Sequence, residues 1–323
     1  MAICLRTIDD DFEAHEELTG MHAVDSIQSN TLVATLKDVL TRLNLSINQC
    51  HGQCYDGASN MAGAKTGVAT QLARDEPRAI FTHCYGHALN LAAGDTINRN
   101  HLLCDALDTT LEISKLVKWS PRREAIFKTL KSELAPDTPG FCTLCPTPWT
   151  VRASSLQCVL DNYTALQELW EKSLDASKDS ETRARLQGVQ AVMSTFDFFF
   201  GIVLGQRLLK HTDNLSKTLQ SPSLSSLETH ETAELTPKTL SEIRTAEAFQ
   251  LFWQHVLQVQ KKLNVQAPVL PRQRKAPARF EVGIGRGHHH TTAEDKYRQH
   301  YFECLDHIIN CIRDRFNQPG YEM

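Results

Sequence analysis

The sequence predicts an α/β layer over residues 1–98 followed by a large all-α region. Two patterns carry that expectation. In the first 98 residues, short runs of strand formers alternate with helically spaced segments, and that order builds an α/β layer with parallel pairing. Beyond about residue 100, apolar residues recur at helical spacing alone. A chain of 323 residues can bury one large core or two modest ones, and 41% hydrophobic with 22% charged residues is an ordinary globular composition.

Ala2–Ile8 is rich in strand formers, and Glu13–Leu18 is placed to return as its hairpin partner, with Asp9, Asp10 and Asp11 in the turn. Val33, Leu36, Val39, Leu40 and Leu43 give a helix over Thr31–Leu43, with Ser29 or Asn30 placed to cap it. Ile47–Cys54 reads as a strand ending at the turn pair Asp56-Gly57. A helix over Lys65–Arg74 stops before Pro77, Ala79–Cys84 is the next strand, and His87–Ile97 is helical again.

Three amphipathic stripes follow. The first runs through Leu156, Val159, Leu160, Tyr163, Leu166 and Leu169, and the second from Leu186 through Phe200 to Leu208. The third holds Phe252, Val256, Val259 and Leu263, after a polar Ser/Thr-rich connection at Leu219–Thr239. Such stripes are packing faces. Ala267–Thr292, broken by Pro and Gly, reads as an exposed linker, and Phe302–Phe316 as a final helix ending near Pro319-Gly320.

A net charge of −4 and a pI near 6.4 give no global footprint for nucleic acid, so a DNA-handling role needs a local basic surface or another domain. No window reaches the roughly 18–20 uninterrupted apolar residues of a membrane span, so no membrane partner is expected. The N-terminus lacks a secretory pattern. Ten cysteines without a regular framework fit reduced thiols in an intracellular compartment, nucleus or cytosol.

Asp56 follows a buried-strand candidate and precedes a small-residue turn, the place where α/β folds hold ligands and metals. It suits Mg²⁺, a hard cation preferring oxygen, and spacing alone favours the commoner role of an Asp-Gly pair, a turn in which the carboxylate binds backbone N–H groups. Cys84 and His87 form a C-x-x-H pair near Cys50, Cys54 and His83, but the spacing matches no zinc finger. Cys142-x-x-Cys145 lacks a nearby second pair, and the run His288-His289-His290 reads as a solvated patch. The basic cluster Arg272–Arg279 is a nuclear-localisation or phosphate-contact candidate on an exposed linker. Trp149 could stack on a base or pack at a helix boundary.

The run Gln53-Cys54-Tyr55-Asp56-Gly57-Ala58-Ser59-Asn60-Met61, followed by His83-Cys84-Tyr85-Gly86-His87-Ala88-Leu89-Asn90-Leu91, resembles the hAT superfamily of DNA transposases. The nearer resemblance is to its domesticated relatives, the zinc finger MYM-type protein 1-like and repressor of the protein-kinase inhibitor-like proteins. Leu144-Cys145-Pro146, Trp149–Leu156, His300–Phe302 and Arg315-Phe316 extend the likeness over nearly the whole chain. It implies an RNase H-like core at 1–98 interrupted by a helical insertion at 99–266, then a linker at 267–298 and a C-terminal amphipathic helix at 299–323. Active members use three acids to bind Mg²⁺ or Mn²⁺ for phosphodiester cleavage and strand transfer. Asp56 matches the second acid and metal ligand, Cys84 and His87 a motif beside the active site, and Trp149 with Arg152 a segment at the DNA end.

The departures shape the functional expectation. The strand bearing the first acid is expected before Ala2, and the third acid and dimerisation segment after Met323, so the core is read as incomplete, its first strand missing. Pro148 stands where relatives carry Arg before the Trp. A lone carboxylate cannot position two metals. The expectation is a truncated, transposase-derived nuclear protein that needs no cofactor and binds DNA or protein, the protein partner being its own copy or another transposase-like chain. Two alternatives stand beside it: a transposase or nuclease completed by further sequence or a partner chain, and a zinc-stabilised interaction module.

Overall fold

The computed structural model describes residues 1–140, 152–221, 226–270 and 290–316. The expectations for Cys142, Cys145, Trp149, Arg272–Arg279, His288, His289 and Pro319-Gly320 lie outside them. The described residues are mostly helical, with two two-stranded sheets. They divide into two compact units, residues 1–91 with 218–233 and 314–323, and residues 92–217 with 234–313.

The first unit opens on the hairpin foreseen, β1 (Ala2–Ile8) antiparallel to β2 (Ala14–Met21). Asp9 builds its tip: Oδ1 accepts from the N–H groups of Asp11 at 3.0 Å and Glu13 at 2.8 Å, and Oδ2 pairs with His15 at 2.8 Å. Helix α1 (Ser29–Arg42) begins earlier than the caps suggested. Gln28 occupies the N-cap without a side-chain bond, so neither Ser29 nor Asn30 caps it.

Where one strand was expected over Ile47–Cys54, a 3-10 turn at Ile47–Gln49 precedes β3 (Gly52–Tyr55). Ser46 and Gln49 close a capping box that favours the turn. Short α2 (Ser59–Ala62) and α3 (Val68–Asp75) then lead to β4 (Ile80–His83) and α4 (Tyr85–Arg99). Strands β3 and β4 are parallel, with Cys54 opposite Thr82 and Tyr55 opposite His83.

Buried Leu32, Val33, Val68 and Leu72 pack the core of this unit. Buried Gln53 fastens β3 to it, its Nε2 donating to the carbonyls of Ala69 at 3.0 Å and Ala79 at 2.9 Å. Gly67 must be glycine because a Cβ would overlap the backbone of Gly63.

The second unit is helical. Helices α5 (His101–Lys118) and α6 (Pro121–Leu134) precede α7 (Arg152–Asp161) and α8 (Tyr163–Ala176). After them come α9 (Ser180–Met193), α10 (Phe196–Leu219), α11 (Ser226–Glu242), α12 (Ala246–Lys262) and α13 (Ala293–Phe316). Some of these run on into the first unit at their ends. The side chains of Asn100, Ser120, Asp179 and Thr245 cap α5, α6, α9 and α12 by accepting first-turn N–H groups.

The first stripe is two helices broken at Asn162, and the second bends by 74° between α9 and α10. The connection expected at Leu219–Thr239 contains α11, in which Ala233 and Leu240 are buried. Helix α10 is the core of the unit, and Gly201 lets it approach the carbonyl of Leu102 where any Cβ would collide. Among the described residues no single helix is long and apolar enough to cross a membrane.

Candidate functional site

Parallel strands β3 and β4 end side by side, and the Cys84 N–H extends their ladder by donating to the Tyr55 carbonyl at 2.8 Å. There β3 turns away at Asp56-Gly57, while β4 runs straight into α4. The strand ends therefore gather Asp56, His83, Cys84 and His87 from two separate sequence motifs. His83 at the end of β4 and His87 in the first turn of α4 have ring centroids separated by 5.8 Å.

Asp56 is exposed, and its Oδ1 accepts the Ala58 N–H at 3.1 Å. This is the backbone-binding turn that the sequence offered as one of two readings. The His83 ring lies over Gly57, where an added Cβ would sit 3.0 Å from Cε1. Burial first, then the neighbouring His87, hold the His83 pKa below the ordinary imidazole value, against a smaller opposing pull from Asp56. Arg315 also lowers it, a contribution from far along the chain that no local pattern announces.

The sequence also missed a thiol pair. Cys54 sits opposite Thr82 in the parallel register, so Cys84 two residues on falls on the same face of the ladder. The hydrogen bond from Cys54, then the backbone N–H groups of His87 and Gly86, push the Cys84 thiol down to about 6 against the cost of burial. Cys54, the donor, is raised by the same bond and by burial. We expect iodoacetamide to alkylate Cys84 with a midpoint well below the ordinary thiol value of about 8.5. Cys54→Ala should move that midpoint up by about one unit or more. A pH profile for Cys84, read by mass spectrometry, that is the same in both proteins would contradict the pairing.

These groups do not amount to a metal centre. Among the described residues no three His, Cys, Asp or Glu side chains are disposed to hold one ion. Asp56 brings one carboxylate with an oxygen already bonded to backbone, so the residues present do not fit a two-metal phosphoryl-transfer site. Nor, among the described residues, do Cys84 and His87 converge with a third zinc ligand.

Arg152 belongs to the second unit, half-buried at the start of α7. Burial lowers its pKa and the charge of Asp213 raises it. Asp213 is itself buried and accepts the Ala153 N–H at 2.9 Å, so this corner of α7 is held by an internal carboxylate.

The strand ends thus present an Asp-Gly turn beside a C-x-x-H helix start. Residues 1–67 match the family described as ZMYM1/FAM200, RNase-like domain (DUF4371). The chain is similar along nearly its whole length to two known proteins. It is 22% identical over 334 residues to the 52 kDa repressor of the inhibitor of the protein kinase of Mus musculus, covering 98% of this chain and 42% of that protein. The Homo sapiens protein of the same name is 21% identical over 330 residues, with the same coverage of each chain. The chain thus spans about two-fifths of the length of these relatives. No solved structure matches it.

Proposed function

We propose that this chain is a transposase-derived binding segment that works without phosphoryl transfer of its own, as part of a DNA- or protein-binding regulator in the nucleus. The observation that carries the reading is the likeness to proteins named as repressors, which runs through both the RNase-like part and the helices, over 98% of the chain. The chemistry at the strand ends supports it: Asp56 has one carboxylate oxygen in a turn, and among the described residues no three His, Cys, Asp or Glu side chains are disposed to hold one ion. In this reading the first unit derives from an RNase H-like core and the helices from an insertion into it. Its partners are DNA, a second copy or another transposase-like chain, and no cofactor is needed.

A second reading keeps the enzyme, with further acids supplied from outside these residues. The exposure of Asp56 at the C-terminal end of a parallel strand favours it. A cleavage assay on the purified chain tests the first reading directly. With Mg²⁺ or Mn²⁺, the purified chain is expected to leave transposon-end DNA uncut, and Asp56→Asn is expected to behave identically. Metal-dependent nicking that Asp56→Asn abolishes would overturn the proposal. A mobility shift on the same DNA would assign the binding partner to DNA.

A further inference from the structure

Away from the strand ends, the helical unit holds a cleft of about 250 Å³ lined by the start of α6, the end of α8 and the start of α9. Three cationic side chains, Arg122, Arg123 and Lys178, line it against a single carboxylate, Asp179. That carboxylate is already committed as the cap of α9, its Oδ2 accepting the Thr182 N–H at 2.8 Å. Arg123 is fixed in place by donating from Nε to the Leu116 carbonyl at 2.5 Å. Arg122 and Lys178 are exposed. The N-terminus of α6, capped by Ser120, adds the positive end of a helix dipole.

A second observation is independent of charge. Ser173 lines the same cleft, is only 5% exposed, and its buried hydroxyl has no hydrogen-bond partner. A buried hydroxyl left unsatisfied is costly, and native interiors rarely keep one without a reason. An acceptor entering the cleft would satisfy it.

We propose that this cleft binds a terminal phosphate group, as inorganic phosphate or as the monoester end of a small ligand. Arg122, Arg123 and Lys178 supply charge-assisted donors to its oxygens, and the Ser173 hydroxyl donates from below. The recessed position of Ser173 selects the terminal group, because a diester running along a surface cannot carry an oxygen down to it. The volume leaves room for a phosphate with a few further atoms and falls short of the roughly 300–1,000 Å³ typical of drug-sized ligands.

The test is calorimetric titration of the purified chain with inorganic phosphate and with a nucleoside 5′-monophosphate, against sodium chloride at matched ionic strength. Saturable binding of either phosphate is expected, with none for chloride. Arg122→Ala with Lys178→Ala, both at exposed positions, should weaken it by about tenfold or more. Ser173→Ala should weaken it severalfold while leaving the Tm of the free protein unchanged or higher, since the substitution removes an unsatisfied hydroxyl. Tighter binding of the monoester assigns the cleft to a phosphorylated small molecule, and equal binding assigns it to free phosphate. Binding no stronger than that of chloride, or undiminished in the double variant, would overturn the proposal.

Discussion

Replacing Phe200 by alanine is expected to destabilise the helical unit by about 3–5 kcal/mol. Phe200 is fully buried on α10 and lies at the centre of an aromatic cluster. Its ring centroid is 4.6 Å from that of Tyr297, 5.8 Å from Phe252, and 6.3 Å from both Trp253 and Phe196. Three helices, α10, α12 and α13, therefore meet on one side chain. Removing it leaves a cavity that rings on stiff helices cannot close, and it forfeits the edge-to-face contacts as well as the buried area. Phe200→Leu keeps most of the volume and should cost about half as much or less. Leu251 is 70% exposed on α12, and its truncation should stay within about 0.5 kcal/mol. Urea unfolding followed by tryptophan fluorescence measures all three. A loss below about 1 kcal/mol at Phe200 would mean the cluster does not close the unit.

Elements whose signal is local were legible in the sequence. The hairpin β1–β2, strand β4, helix α4 and the apolar faces of the long helices all stand where periodicity and turn residues put them. What failed was governed by neighbours remote in sequence. A stripe of apolar residues shows which face is buried and is silent on bends, so the breaks at Asn162 and between α9 and α10 did not show. Helix α11 was hidden by Ser, Thr and an internal Pro237, a composition that reads as loop although Ala233 and Leu240 find partners to bury against. The site divides the same way. Asp56 in a turn and the C-x-x-H start of α4 were readable from their own residues. The Cys54–Cys84 pair depends on the register of β3 against β4, and the cleft at Ser173 on how α6, α8 and α9 are arranged. Neither leaves a trace at any fixed spacing.

Acidification from about pH 6.5 to pH 4 is expected to destabilise the helical unit in proportion to one histidine, His300 on α13. Asn100 fixes its state. The Asn100 Oδ1 accepts the N–H groups of Leu102 at 3.1 Å and Leu103 at 3.3 Å as the cap of α5, so its Nδ2 faces His300 Nδ1 at 3.0 Å as a donor. His300 Nδ1 must then accept, which only the neutral ring can do. Burial first, then the positive potential of nearby His101 and Lys296, holds the pKa at about 4, against smaller opposing pulls from Glu303 and Asp197. The unfolded chain, with an ordinary imidazole near pKa 6.5, takes up its proton earlier on the way down. Stability from this group is therefore complete above about pH 6.5 and is lost as pH falls towards 4, about 3 kcal/mol before solvent screening of this half-buried ring and on the order of 2 kcal/mol after it. His300→Gln offers Asn100 a neutral acceptor and cannot titrate, so its unfolding free energy should lose that share of the slope. His211 keeps a slope of the same sign, since burial lowers its pKa too. Urea midpoints at pH 7, 6, 5 and 4.5 for the two proteins decide the matter, and parallel curves would show that His300 is not the group that titrates.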